Sequence, residues 1–329
     1  MKAKTFITSF VAATAVLALI FGLCVVFNSD AFDKAYSALH EFSEGAGTEI
    51  VTDENKAKSA TVERKNNDER TLVCVMYHNI LKSRNGKYIV SPQQFDNDLA
   101  AFRDEGFVTV FPSEVVDFVY GDGELPEKPL LITFDDGKYN NMFYGLPLLE
   151  KYDAKAEMNP VGAFTEFSAS SGDHSNPNYS HVTWEQIGEL HKSGRFELGN
   201  HSYNMHRYKP RFGIMPKAGE SPAEYRKTLK EDTCRLQDKI LCATGELPLT
   251  YAYPFGEYND DALAVLRGMG FRLFLTCNEG VSIIRRGAPE SLFLIKRANR
   301  DGSLTSAEMM QRLRLYAKKA ESQAAANRG

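Results

Sequence analysis

Two short blocks carry residue types that could do chemistry together: Thr133-Phe134-Asp135-Asp136-Gly137 and, further along, His201-Ser202-Tyr203-Asn204-Met205-His206. One carboxylate and two imidazoles form a common ligand set for a catalytic zinc, with a position left open for water. In that arrangement Asp136, His201 and His206 would hold the ion, and Asp135 would be free to act as a general base. Side chains of neighbouring strand residues point to opposite faces, so both aspartates reach one cavity only where the strand curls at its end, a turn Gly137 permits. Taken alone, Asp-Asp-Gly is also a good turn and helix-cap sequence. His201 and His206 are five positions apart, which suits neither one helix face nor one strand face. An irregular loop must bring them together. The combination makes the chain a candidate metal-dependent hydrolase.

Two further segments fit the same chemistry. His78, in Val75-Met76-Tyr77-His78-Asn79, ends an apolar run and could donate a proton to a leaving amine; the plain alternative is a capped strand end. Tyr253-Pro254-Phe255-Gly256 closes another run, and the Phe255 N–H would help to stabilise an oxyanion. As a structural turn the motif is equally credible. His174, His181 and His191 read as loop or helix-surface residues.

The elements that must position these groups alternate in kind. Strands are expected at 72–77, 108–111, 130–134, 156–159, 196–198, 250–253, 271–276 and 292–295. Between them Ser91-Pro92-Gln93-Gln94, Thr183-Trp184-Glu185-Gln186 and Ser221-Pro222-Ala223-Glu224 each fit a capping box, two with proline at the first helical position. Strand–helix alternation predicts parallel strands with crossover helices. With about seven or eight such units and no glycine-rich dinucleotide fingerprint, the expected fold is α/β, a barrel rather than an open sheet. Chemistry in such barrels gathers at the C-terminal strand ends. His78, Asp135, Asp136, Asn159, His201 and Tyr253 all fall there, which makes Asn159 and Tyr253 candidate substrate contacts.

The chain has 329 residues and a net charge of −4, so no basic face points to nucleic acid. Lys2 and Lys4 precede an uncharged stretch, Thr5 to Phe27, about 35 Å long as a helix at about 1.5 Å per residue. This predicts an N-terminal transmembrane signal-anchor over 1–27, with the bulk of the chain outside the cell membrane. Secretion after cleavage is the alternative. Residues 28–70 read as a polar juxtamembrane spacer, 71–302 as the catalytic domain and 303–329 as a C-terminal helix and tail. Cys24, Cys74, Cys234, Cys242 and Cys277 form no C-x-x-C pair, and no disulfide is expected.

Together these residues resemble carbohydrate esterase family four, the polysaccharide deacetylases with a NodB-homology domain, over about Leu72 to Arg300. The five-residue histidine spacing and the Met-Tyr-His at the domain start are similar to the branch acting on poly-N-acetylglucosamine. The resemblance implies an irregular (β/α) barrel of about seven strand–helix units and zinc-assisted hydrolysis of an N-acetyl group on peptidoglycan, poly-N-acetylglucosamine or a related polymer. It assigns Asp135 as base, Asp136, His201 and His206 as metal ligands and His78 as acid, with the Phe255 amide at the oxyanion. One departure matters: Tyr253 stands where the family has an arginine that orients the base. Arg297 and Arg300 are the candidates to replace it. Two rival readings are a membrane-tethered sugar-binding pseudoenzyme, inactive for want of that arginine, and a two-carboxylate glycoside hydrolase.

Overall fold

The computed structural model describes residues 68–82, 85–121 and 123–326. The expected transmembrane helix (1–27) and nearly all of the spacer (28–70) lie outside them. Among the described residues no helix is long and apolar enough to cross a membrane.

The strands are β1 (Glu69–Tyr77), β2 (Asn79–Ile80), β3 (Ile89–Val90), β4 (Val108–Thr109), β5 (Pro129–Asp136), β6 (Ala156–Pro160), β7 (Phe196–Leu198), β8 (Thr250–Ala252), β9 (Leu273–Leu275), β10 (Ser282–Arg285) and β11 (Ala298–Asn299). The helices are α1 (Pro92–Asp104), α2 (Pro112–Tyr120), α3 (Leu146–Lys151), α4 (Gly162–Ser170), α5 (Trp184–Lys192), α6 (Pro222–Thr244), α7 (Asp260–Gly268) and α8 (Ser306–Ala326). The boxes at Ser91, Thr183 and Ser221 all form, each N-cap hydroxyl accepting from the backbone three residues on. These satisfy N–H groups that a helix start leaves without partners, so α1, α5 and α6 begin where the sequence places them.

The main sheet runs β10-β1-β5-β6-β7, with β11 beside β1 and β4 beside β5. β1, β5, β6 and β7 are mutually parallel, while β10 runs antiparallel to β1. A separate parallel pair, β8-β9, is joined to the rest by single bridges, Asn200 to Tyr251 and Leu275 to Ile295. The expected barrel is therefore corrected: among the described residues the ladders do not close. β7, β8 and β9 span three residues each, too short to carry continuous ladders around the ring. The strand expected at 292–295 is a tight turn, Pro289–Leu292, followed by one bridge at Ile295, and the pairing strand is β11.

Side-chain alternation divides the core. Val73, Val75, Tyr77, Leu130, Ile132 and Phe134 face an outer layer with Phe95, Leu99, Leu149 and, from α8, Met309, Met310 and Leu313. Helix α8 thus packs onto this outer layer through Met309, Met310 and Leu313. The opposite face of β1 and β5 puts Leu72, Cys74 and Leu131 into an inner cluster with Val115, Phe118, Ala252, Leu273 and Leu275. By the two-residue period, Thr133 and Asp135 continue the inner row of Leu131. That row runs from an apolar floor to a charged rim.

Candidate active site

Asp135 sits at the top of the inner row and is fully enclosed. Arg297 donates to it twice, Nη1 to Oδ1 at 2.9 Å and Nη2 to Oδ2 at 2.8 Å. Asn159, on the adjacent β6, adds Nδ2 to Oδ1 at 3.1 Å. Arg297 is itself held by Thr276 O at 2.8 Å and Thr133 Oγ1 at 3.2 Å. Burial alone would raise the Asp135 pKa. The Arg297 charge, then that of His201, more than offsets burial and holds the carboxyl well below its usual range. In the resting site Asp135 is held as an ionised carboxylate in a fixed orientation.

The next residue breaks the strand alternation. Asp136 has φ 69° and Gly137 φ 69°, two left-handed residues in succession. A Cβ on Gly137 would also lie 3.0 Å from Pro160 Cα, so glycine is required for both reasons. The turn presents Asp136 Oδ1 to two imidazoles, 3.8 Å from His201 Nε2 and 3.5 Å from His206 Nε2. Burial works against its charge too, but His78, His201 and His206 keep its pKa lowered.

The histidine loop solves the five-residue spacing by local hydrogen bonding. Ser202 takes φ 68°, held by its N–H on Asn200 Oδ1 at 2.9 Å, and the Met205 N–H returns to Ser202 Oγ at 3.1 Å. Asp232 on α6 accepts from the Tyr203 and Asn204 N–H groups, both at 2.8 Å. The result brings the His201 and His206 rings to 4.9 Å between centroids. Upstream, Gly199 passes so close to β6 that a Cβ would stand 2.0 Å from Asn159 Oδ1. His201 Nδ1 lies 2.7 Å from the Ala252 carbonyl. A carbonyl can only accept, so Nδ1 carries a proton and Nε2 is the ring nitrogen turned towards Asp136.

These features fit a bound cation. Ligand atoms of Asp136, His201 and His206 all lie within 4.8 Å of one another. The 3.8 and 3.5 Å separations approach the roughly 3.4 Å edge of a tetrahedron with bonds of about 2.1 Å. Asp136 Oδ1 is buried without a hydrogen-bond partner, an expensive state unless an ion or water meets it. Burial, then the neighbouring His201 charge, pushes the His206 pKa down to about 4, so its imidazole is neutral and able to ligate at neutral pH.

The other candidate residues divide. His78 faces the site: Asp135, Asp136 and His206 all act on it electrostatically, burial lowers its pKa, and its Nδ1 is buried and unpartnered. Phe255 adopts φ 60° and its ring lies 4.3 Å from that of His206. Tyr253 is corrected. It is 0% exposed, its ring stacked on Tyr258 and Phe274 in the core, because β8 turns it away from the rim. Arg300 is also corrected: it is bound to Asp98, Nε to Oδ2 at 2.7 Å and Nη2 to Oδ1 at 3.0 Å, and does not reach Asp135. Three positions follow Arg297 to Arg300, and β11 sends them to different sides.

Some of the surroundings are not legible in the motifs. Lys138 Nζ lies 2.8 Å from His181 Nε2, half-buried beside Asp136, so His181 is not a plain surface residue. Its only sequence signal is that Lys138 directly follows Asp-Asp-Gly. Asp232 and Asn200 act on the histidine loop from positions that no spacing rule marks.

A clamped carboxylate thus stands beside an Asp–His–His cluster that could hold a metal ion, at the strand ends of an α/β sheet. The polysaccharide deacetylase family profile matches residues 122–274. A poly-β-1,6-N-acetyl-D-glucosamine N-deacetylase of Escherichia coli K12 is 24% identical over 235 residues, covering 64% of this chain and 34% of its own length. One from Staphylococcus aureus MRSA252 is 25% identical, covering 58% of this chain and 62% of its own. This chain thus spans about a third to three-fifths of the length of these relatives. Among solved structures, the Streptococcus pyogenes deacetylase PplD in complex with acetate aligns at TM-score 0.59 and 25% identity, over 74% of this chain and 98% of its own. IcaB from Ammonifex degensii aligns at 0.58 and 27%, over 71% and 93%. Over residues 122–274, a little under half of its length, the chain thus resembles the polysaccharide deacetylases.

Proposed function

We propose that this chain is a metal-dependent N-deacetylase that removes acetyl groups from N-acetylglucosamine units of a cell-surface or extracellular polysaccharide. The observation that carries this reading is the buried, unpartnered Asp136 Oδ1 aimed at two imidazole nitrogens, with Asp135 clamped beside it. Asp136, His201 and His206 would hold the ion, with zinc favoured by the two-imidazole, one-carboxylate set. When bound, such an ion supplies Lewis acidity and lowers the pKa of water. Asp135, ionised and fixed by Arg297 and Asn159, takes the proton of the attacking water. The Phe255 N–H would donate to the developing oxyanion. His78 returns a proton to the departing amine, so that acetate and a free amino sugar result.

Both rivals lose ground on particular residues. The inactive reading rests on the arginine missing at Tyr253, and the bidentate Arg297–Asp135 pair supports Arg297 as its replacement. A glycoside hydrolase needs one carboxylic acid kept protonated, but Asp135 and Asp136 are both lowered. The substrate for which the relatives are named favours a β-1,6-linked N-acetylglucosamine polymer, with the chain tethered through residues 5–27.

The test is acetate release by the full chain from poly-β-1,6-N-acetylglucosamine, chitin oligomers and peptidoglycan, with zinc content measured on the same samples. Stoichiometric zinc with acetate from one polymer is the expected result. Zinc without acetate from any would overturn the reading.

A further inference from the structure

The loop that follows His206 carries two aromatic rings that the chemistry above does not use. Tyr208 and Phe212 are 73% and 40% exposed, an unusual state for large rings beside a polar site. They are ordered by stacking on Phe255: Phe212 lies 5.0 Å from it at 5° between planes, Tyr208 4.7 Å away at 27°. Tyr208 and Phe212 also stack on each other, 5.7 Å apart at 22°. Phe255 in turn rests on His206 at 4.3 Å. The loop is closed by the Gly213 N–H on Arg207 O at 3.0 Å, and Gly213 sits so close that a Cβ would stand 2.8 Å from Pro254 O. The stack is therefore built onto the same turn that brings Phe255 to the site.

We propose that Tyr208, Phe212 and Phe255 form a saccharide-binding platform beside the metal cluster, which takes a sugar unit neighbouring the one that is deacetylated. The inference rests on the deacetylase reading and adds a subsite to it. Continuity with His206 decides the occupant, because whatever covers the rings is part of the molecule that reaches the metal ligands. A pyranose has a C–H-rich face that lies flat on an aromatic ring, and its hydroxyls project from the edge, where the Tyr208 O–H and the flanking Arg207 and Lys209 can meet them. The platform makes the chain a reader of polymer length: a single sugar fills the reacting position only, and a longer oligomer also covers Tyr208.

The experiment is steady-state acetate release by the zinc-loaded full chain on N-acetylglucosamine oligomers of increasing length, with parent, Tyr208→Ala, Phe212→Ala and Tyr208→Phe. The expected result is a KM raised about tenfold by either alanine on long oligomers, with kcat little changed and the shortest oligomers hardly affected, and recovery in Tyr208→Phe. Equal KM values for parent and both alanine variants at every length would overturn the platform. So would a loss of phospholipid-vesicle binding in Tyr208→Ala with oligomer KM unchanged, which would make the rings a membrane contact. If the parent releases no acetate at all, the deacetylase reading fails. Calorimetric binding of the same oligomers to parent and Tyr208→Ala then still decides the platform.

Discussion

Arg297 and Asp135 meet through two guanidinium nitrogens and both carboxylate oxygens, at 2.9 and 2.8 Å, with side chains 0% and 2% exposed. Removing one partner of such a pair leaves a buried charge uncompensated, a loss of about 3–5 kcal/mol. Arg297→Met is therefore expected to lower the denaturation midpoint sharply and abolish acetate release. Arg297→Lys keeps the charge but not the planar fork. It should fold and bind zinc, with kcat reduced at least about tenfold. Unchanged kcat in the lysine variant would show that orientation of Asp135 is not what the arginine supplies.

The roles of the two adjacent aspartates separate by metal content. Asp135→Asn should abolish acetate release while zinc stays bound, since Asp135 is committed to Arg297 and Asn159. Asp136→Asn should lose both, because it removes the anionic ligand. His78→Ala should keep the metal and slow turnover by about 10² to 10⁴, the usual range for a general acid. If all three variants lose zinc, the division into base, ligand and acid is wrong.

Much of this site is legible in the sequence because its chemistry is local. Asp135, Asp136 and Gly137 are contiguous, and the capping boxes fix where α1, α5 and α6 begin. Arg297 was one of two candidates, and choosing between them needed three dimensions. Arg297 and Arg300 are three residues apart, yet one meets Asp135 and the other Asp98. The burial of Tyr253 is not legible because it follows a three-residue strand, which pairs with β9 and meets Asn200 by only one bridge, at Tyr251. The open ladder was hidden for the same reason. Short strands look alike whether or not they pair continuously.

The N-terminal stretch gives a prediction independent of the site. Two lysines before an uncharged run from Thr5 to Phe27 should leave the protein at full length in the membrane fraction. External protease should remove its bulk from intact cells. A processed form free in the medium would sink the anchor and leave the enzyme reading untouched.

The last prediction concerns a buried acid that the reaction does not use. Glu157 on β6 is 0% exposed, and neither of its carboxyl oxygens completes a hydrogen bond. Burial, aided by Glu197 and Asp135, outweighs the nearby Thr250 hydroxyl and the Arg297 charge and pushes its pKa from 4.5 up to about 8. The sign follows from which state holds the proton. Between about pH 4.5 and 8 the folded chain keeps a proton that the unfolded chain has released. Stability must then fall as pH rises through that window, by at most about 1.4 kcal/mol per unit for one group. Asp135 acts in the opposite sense and lower down: its depressed pKa contributes stability that is lost only as pH falls below the ordinary carboxylate range. Glu157→Gln has no proton to lose, so its urea midpoint should gain on the parent steadily from pH 5.5 to 7.5. Parallel midpoints across that range would mean that Glu157 is already ionised in the fold, with a compensating partner.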